Sequence, residues 1–252
     1  MNKIQIPDDL INLLINSERV VVLTGAGVSA ESGIKTFRDP DGLWAKFNPA
    51  ELASMNGFMK NPELVWDWYQ HRREIINKSE PNPGHLAIAQ MHQLFSKFAL
   101  ITQNVDRLHH RAGSDNVIEL HGNIIENYCV DCHTYYDEQI GENDLSLPKC
   151  KKCYGKIRPA VVWFGEMLPE AALIKADELS RNSQVFFSVG TSAEVYPAAN
   201  LPLLAKENGA VVIEVNPNET AISRYMDYRF RMPSGEILPV IIERIKERKG
   251  LI

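Results

Sequence analysis

Cysteine is sparse in this chain, and no stretch stays apolar for long. Four cysteines in 252 residues are too few to build a disulfide-stapled secreted scaffold. No run approaches the roughly 18 apolar residues of a membrane-spanning helix, so no membrane partner is expected. The opening segment, MNKIQIPDDLINLL, has acids and a proline where a secretory signal needs an unbroken apolar core, and a cytoplasmic location is expected. Positive charge is short as well: 27 lysines and arginines face 32 acids, a formal net charge of −5. No specific nucleic-acid partner follows from such a balance. Repeats, low-complexity tracts and long heptads are missing, which predicts a monomer.

The remaining composition, 44% hydrophobic and 23% charged, is that of a globular protein with one large domain or a domain carrying a small insert. Short β-branched runs end in small or polar residues. VVVLT meets Gly25, Ala26 and Gly27, and FALIT meets Gln103 and Asn104. VIEL meets His121, VFFSV meets Gly190, Thr191 and Ser192, and AVVIEV meets Asn216, Pro217 and Asn218. Runs of this kind suit strands buried on both faces of a parallel sheet. Between them lie helical stretches with start signals at Pro83, Pro169 and Pro202, and the chain closes on the amphipathic ILPVIIERIKERKG. The alternation predicts an α/β fold with a Rossmann-like parallel sheet. Two regions break the rhythm. Residues 38–83 read as a helical insert or lid, and residues 126–155 as a small metal-clipped module, leaving 1–37, 84–125 and 156–252 for the core.

Gly25, Gly27 and Ala30 have the G-x-G-x-x-A spacing of a dinucleotide turn, in which glycine lets backbone N–H groups approach a pyrophosphate. The same spacing fits an ordinary tight turn, and no acid follows a second strand about 20 residues on, as a hydride-transfer enzyme would require. Ligands of open α/β sheets sit at the carboxyl ends of the strands. Gln103, Asn104, Asp106, His121, Ser192 and Asn216 would therefore share one crevice, unless each serves only its own turn. His121 lies directly between an apolar strand and a glycine, where a neutral imidazole can act as general base. His109 and His110 are weaker candidates on a nearby helix. Tyr69 and Arg72, at i and i+3 of a helix, share a face and could grip a carboxylate; spacing alone favours core packing for the tyrosine and a solvated arginine.

Cys129 and Cys132 form one C-x2-C knuckle, and Cys150 and Cys153 form another. This pattern predicts one zinc ion bound by four thiolates. Four cysteines complete a tetrahedral shell and leave no open position for water, so the zinc should be structural.

GAGVSAESGIKTFR, TQNVDRLHHRAG, IELHGN, the two knuckles, VVWFGE, VGTSAEVYPA and VNPN together resemble the sirtuins, in that family's order. The resemblance implies an NAD-dependent protein-lysine deacylase that takes acylated lysine-containing proteins or peptides. In that chemistry the nicotinamide–ribose bond breaks, the acyl oxygen captures the ribose carbon, and nicotinamide, O-acyl-ADP-ribose and free lysine are released. It implies catalytic roles for His121 and Asn104. It assigns NAD contacts to Gly25, Ala26, Gly27, Ser29, Ala30, Glu31, Thr36, Phe37, Arg38, Trp44, Gln103, Asn104, Val105 and Asp106. Further NAD contacts are implied at Gly190, Thr191, Ser192, Asn216, Pro217, Asn218 and Ser234, the last standing where the family often has alanine. Val162, Trp163, Phe164, Gly165 and Glu166 match a strand that pairs with substrate backbone. Tyr69 and Arg72 match the Tyr-x-x-Arg pair of members that accept succinyl- and malonyl-lysine. A mono-ADP-ribosyltransferase and a non-catalytic zinc-ribbon binding module are the alternatives.

Overall fold

The computed structural model describes residues 4–36, 48–136 and 146–252. The main body is a six-stranded, all-parallel sheet of β1 (Arg19–Thr24), β2 (Lys97–Thr102), β3 (Ile118–Glu119), β7 (Val185–Val189), β8 (Val211–Val215) and β9 (Tyr228–Phe230). Its spatial order is β3-β2-β1-β7-β8-β9. That is the doubly wound order, in which strand succession reverses between β1 and β7 and opens a crevice at their carboxyl ends.

The apolar runs read from sequence are these strands, and both faces are covered. Val20 and Val22 belong to one core with Ile88, Phe187 and Ile241, whereas Val21 and Leu23 belong to another with Phe186, Leu204 and Val212. Alternate side chains of a strand point to opposite faces, so an unbroken apolar run is what two helical layers require. The first layer is α1 (Asp8–Ile15), α6 (Pro83–Leu94) and α10 (Ser234–Arg248); the second is α8 (Glu170–Asn182) and α9 (Leu201–Glu207). At the start of α6, the Asn82 side chain accepts from the N–H groups of Gly84 and His85, which fixes where the helix begins.

The short helix α2 (Ala26–Ala30) follows β1, and α7 (Leu108–Arg111) follows β2. The described residues before α6 form three helices: α3 (Pro49–Leu52), α4 (Met55–Lys60) and α5 (Pro62–Lys78). Pro62 opens α5, where its missing N–H costs nothing, and the Asn61 side chain caps it by accepting from Leu64 N.

The second sheet is antiparallel, with β5 (Tyr135–Tyr136), β4 (Gly122–Cys129) and β6 (Ile157–Val161) in that order. It reaches beyond the cysteine segment 126–155 in both directions, because β4 starts immediately after His121 and β6 returns alongside it. His121 therefore stands at the junction of the two sheets. Among the described residues, no helix is long and apolar enough to cross a membrane.

Candidate active site

At the carboxyl ends of β1 and β7 two loops touch backbone to backbone. Gly25 N–H donates to the Val189 carbonyl at 3.0 Å and Gly27 N–H to the Gly190 carbonyl at 2.8 Å. A Cβ on Gly27 would lie 2.8 Å from Gly190 O, and one on Gly190, whose φ is +62°, would lie 2.4 Å from Val28 N. The glycines are thus demanded by loop-on-loop packing, and their own N–H groups are engaged within the protein. Ala26 and Ala30 lie on α2 beside them.

The neighbouring loops are tied to the same point. Gln103 Nε2 donates to Thr191 Oγ1 at 3.0 Å, Asn216 Nδ2 donates to Thr191 O at 3.0 Å, and Asn218 N donates to Asn216 Oδ1 at 3.0 Å. Ser192 and Pro217 occupy the same two loops. Asn104 is buried and donates from Nδ2 to Gly25 O at 3.0 Å and to Ser29 Oγ at 3.2 Å. Ser29 Oγ donates to Asp106 Oδ2 at 2.7 Å, while Asp106 Oδ1 accepts from Leu108 N at 2.9 Å. Val105 is buried between them and accepts from Ile124 N at 2.9 Å. These contacts tie the loops after β1, β2, β7 and β8 together.

Glu31 and Ser234, both assigned to the cofactor, are joined to each other. Glu31 Oε1 accepts from Ser234 Oγ at 3.0 Å and from Gly235 N at 2.9 Å, so it caps the first turn of α10. Thr36 is the last described residue before the segment holding Phe37, Arg38 and Trp44, and those three lie outside the described residues.

Sequence reasoning named His109 as a weaker candidate and missed its buried neighbour, His85. The rings of His85 and His109 are 4.8 Å apart. His109 Nε2 lies 2.9 Å from Thr24 Oγ1, and His85 Nε2 lies 3.5 Å from Ser29 Oγ. Burial holds both rings neutral, lowering His85 to about 4 and His109 to about 3. The one available signal for His85 was its N3 position in the capped α6, which explains its backbone contact and not its contact with Ser29.

His121 is held from both sheets. Its Nδ1 lies 3.0 Å from the Gln103 carbonyl at the end of β2, and its own carbonyl accepts from Val162 N at 2.9 Å. A carbonyl only accepts, so Nδ1 carries the proton and Nε2 is left as the basic nitrogen. Burial lowers the His121 pKa below its ordinary value, with the Gln103 contact opposing, so the ring is neutral at neutral pH. Gly122 is also explained: its φ is +66° and a Cβ there would meet Ala160 O at 2.0 Å.

Residues Val162–Glu166 were expected as a strand, but β6 ends at Val161 and the chain then turns on itself. The Glu166 side chain bends back, accepting from Trp163 N at 2.8 Å and from both terminal nitrogens of Arg158. Phe164 N donates to Ala53 O at 2.9 Å while its ring stays exposed, and Gly165 takes a φ of +86°. Carboxylate and backbone thus fold this segment into a compact loop beside His121.

Tyr69 and Arg72 face inward from α5. Tyr69 is 1% exposed and Arg72 8%, so the solvated-arginine reading is set aside. Trp163 Nε1 donates to the Tyr69 hydroxyl at 2.8 Å. The Arg72 guanidinium carbon lies 4.9 Å from the Trp68 ring centroid and 5.8 Å from that of Tyr69. Burial raises the Tyr69 pKa and lowers that of Arg72.

The thiol ligand atoms of Cys129, Cys132, Cys150 and Cys153 all lie within 4.8 Å of one another. Cys129 and Cys153 sulfurs are 3.4 Å apart, and Cys132 and Cys150 sulfurs 3.6 Å apart. A tetrahedron with Zn–S bonds of about 2.3 Å has edges of about 3.8 Å, so the cluster fits zinc. Both knuckles turn the same way: His133 and Tyr154, each following a second cysteine, have φ of 54° and 61° and return an N–H to Cys129 O and Cys150 O. With four sulfurs as ligands the metal's role is structural.

Comparisons with known proteins agree with this architecture. The Sir2 family model matches residues 25–197. An NAD-dependent protein deacylase of Aquifex aeolicus (strain VF5) is 54% identical over 231 residues, covering 92% of this chain and 97% of that protein. NAD-dependent protein deacylase 2 of Pyrobaculum aerophilum is 48% identical, covering 94% and 95%. A Sir2 homologue solved with NAD superposes with a TM-score of 0.91 at 44% identity, covering 98% of this chain and 96% of the other. A Sir2–p53 peptide–NAD+ complex gives a TM-score of 0.85 at 35% identity, covering 98% and 100%. By the family model, these relatives and the shared fold, the chain belongs to the Sir2 family, the sirtuins.

Proposed function

We propose that this chain is an NAD-dependent protein deacylase whose substrates include lysines carrying acidic acyl groups such as succinyl and malonyl. The observation that carries the deacylase reading is the junction at His121, where a neutral imidazole is held through Nδ1 by the Gln103 carbonyl, next in the chain to Asn104, which is hydrogen-bonded to Ser29 and through it to Asp106. Bound NAD would supply an activated ribose carbon together with nicotinamide as leaving group. Asn104, Asp106, Gln103, Thr191 and Asn216 would hold and orient it at the reversal of strand order. His121 Nε2 would take a proton from a ribose hydroxyl, and burial supports this by keeping the ring unprotonated. The loop 162–166 would lay the acyl-lysine peptide across the crevice. A single chain supplies all of these groups, and a monomer is the proposed unit.

The acidic-acyl reading rests on Tyr69 and Arg72. A buried arginine on an aromatic bed is a poor solvated surface charge and a good partner for a carboxylate reaching it from the acyl chain. The test is mass spectrometry of acetyl- and succinyl-lysine peptides incubated with the protein, with and without NAD, for the parent and Arg72→Met. The expected result is NAD-dependent loss of both acyl groups, and an Arg72→Met variant whose succinyl-to-acetyl rate ratio is about ten-fold or more lower. Equal losses on both peptides would overturn the acidic-acyl reading. Unchanged peptides with accumulating ADP-ribosylated protein would overturn the deacylase reading.

A further inference from the structure

Trp163 is 2% exposed and its indole is fixed on every side. The Arg158 guanidinium carbon lies 3.4 Å from its ring centroid, and the Phe58 ring packs at 5.3 Å. Arg158 is 0% exposed and is itself held by the Glu166 carboxylate and by Val161 O at 2.7 Å. Glu166 in turn accepts from Trp163 N. The indole therefore cannot turn away, and its N–H stays on the Tyr69 hydroxyl at 2.8 Å.

An indole nitrogen is a donor only, so the Tyr69 oxygen must be the acceptor in that contact. The phenol proton is then left to be given elsewhere. Among the described residues the Tyr69 hydroxyl accepts from Trp163 and donates to none. A buried hydroxyl proton without an acceptor is costly, and the Arg72 guanidinium stands over the same ring. A terminal carboxylate can take that proton, and the methyl of an acetyl group cannot.

We propose that Trp163 is a positioning residue that turns the Tyr69 hydroxyl into a donor for the terminal carboxylate of an acidic acyl-lysine. The proposal rests on the reading of Tyr69 and Arg72 as the acidic-acyl pair. Selectivity among acyl groups is thereby set partly from the loop 162–166 and not by α5 alone. The raised Tyr69 pKa agrees, since it keeps the phenol protonated and able to donate.

The experiment measures kcat and KM on acetyl- and succinyl-lysine peptides with saturating NAD for the parent, Trp163→Phe, Tyr69→Phe and the double variant. Zinc content and thermal midpoint are followed alongside. Trp163→Phe should slow both substrates but lower the succinyl-to-acetyl ratio of kcat/KM about ten-fold, the effect of one hydrogen bond to a charged group, chiefly through KM for succinyl-lysine. Tyr69→Phe should lower the ratio at least as far, and the double variant should match Tyr69→Phe, because Trp163 acts through it. Should the smaller phenylalanine unfold the loop, incorporating benzothienylalanine at 163 removes the N–H and keeps the two-ring shape; the same ratio drop is expected. A lowered ratio in Tyr69→Phe with an unchanged ratio at 163 would overturn the role of Trp163 alone. An unchanged ratio in Tyr69→Phe would overturn the acidic-acyl pair and this proposal with it. Additive losses in the double variant would likewise overturn it.

Discussion

In the six-stranded sheet, β1 and β7 bury side chains on both faces between two helical layers; in the three-stranded sheet, the cluster beside the thiols consists of Trp66, Cys129, Cys150 and Ile157. The first region has enough apolar surface to hold itself together. The second is smaller: Ile124 and Val161 pack with Phe58 and Tyr69, and the end that carries the thiols is left to four sulfurs. The comparison teaches where chemistry can be placed. His121 is fixed to the large sheet through Gln103 O and to the small one through Val162 N, so its position depends on both kinds of cohesion.

The largest expected effect separates the two regions directly. Removing zinc with a chelator should expose the amides of β4, β5 and β6 to hydrogen exchange while β1, β7 and β8 remain protected. Structural zinc sites contribute about 10 kcal/mol or more to the domains they organise. Leu23→Ala should do the reverse, lowering global stability by about 2–5 kcal/mol with zinc content unchanged. If chelation melted both sheets together, the division drawn here would fail.

A smaller effect concerns pH. His85 and His109 have folded-state pKa values of about 4 and about 3, below the ordinary histidine value of 6.5. The unfolded chain therefore binds their protons first. Stability is full above pH 6.5 and falls as pH drops toward the folded values, by up to about 1.4 kcal/mol per pH unit for each histidine. Urea denaturation between pH 7 and 4.5 checks the sign. Because these rings lie in the large-sheet half, acid should loosen that half, and His85→Gln should flatten the dependence. A pH-independent midpoint in the parent would contradict the neutral buried pair.

Much of this architecture is legible in the amino-acid order because its causes are local. Unbroken apolar runs ending in glycine or asparagine mark parallel strands, Pro83, Pro169 and Pro202 mark helix starts, and two C-x2-C knuckles bring four thiols together. What sequence left open depends on distant partners. The inward turn of α5 at Tyr69 and Arg72 follows from packing against Ile124, Val161 and Trp163, far along the chain. Glu166 closes the loop after β6 because Arg158, eight residues earlier, is buried beneath it. The close approach of Gly25 and Gly27 to Gly190 and Thr191 joins loops far apart along the chain. Spacing reports periodicity and turns; it does not report which loop a side chain will meet.

The most direct test of the junction is His121→Ala, compared with the parent for NAD-dependent deacylation of an acetyl-lysine peptide, with zinc content and exchange protection of both sheets measured on the same samples. A general base contributes roughly 10²- to 10⁴-fold. A loss of kcat/KM of at least that size, with zinc retained and both sheets protected, is the predicted result. Activity within ten-fold of the parent would contradict the assignment of His121 as the base.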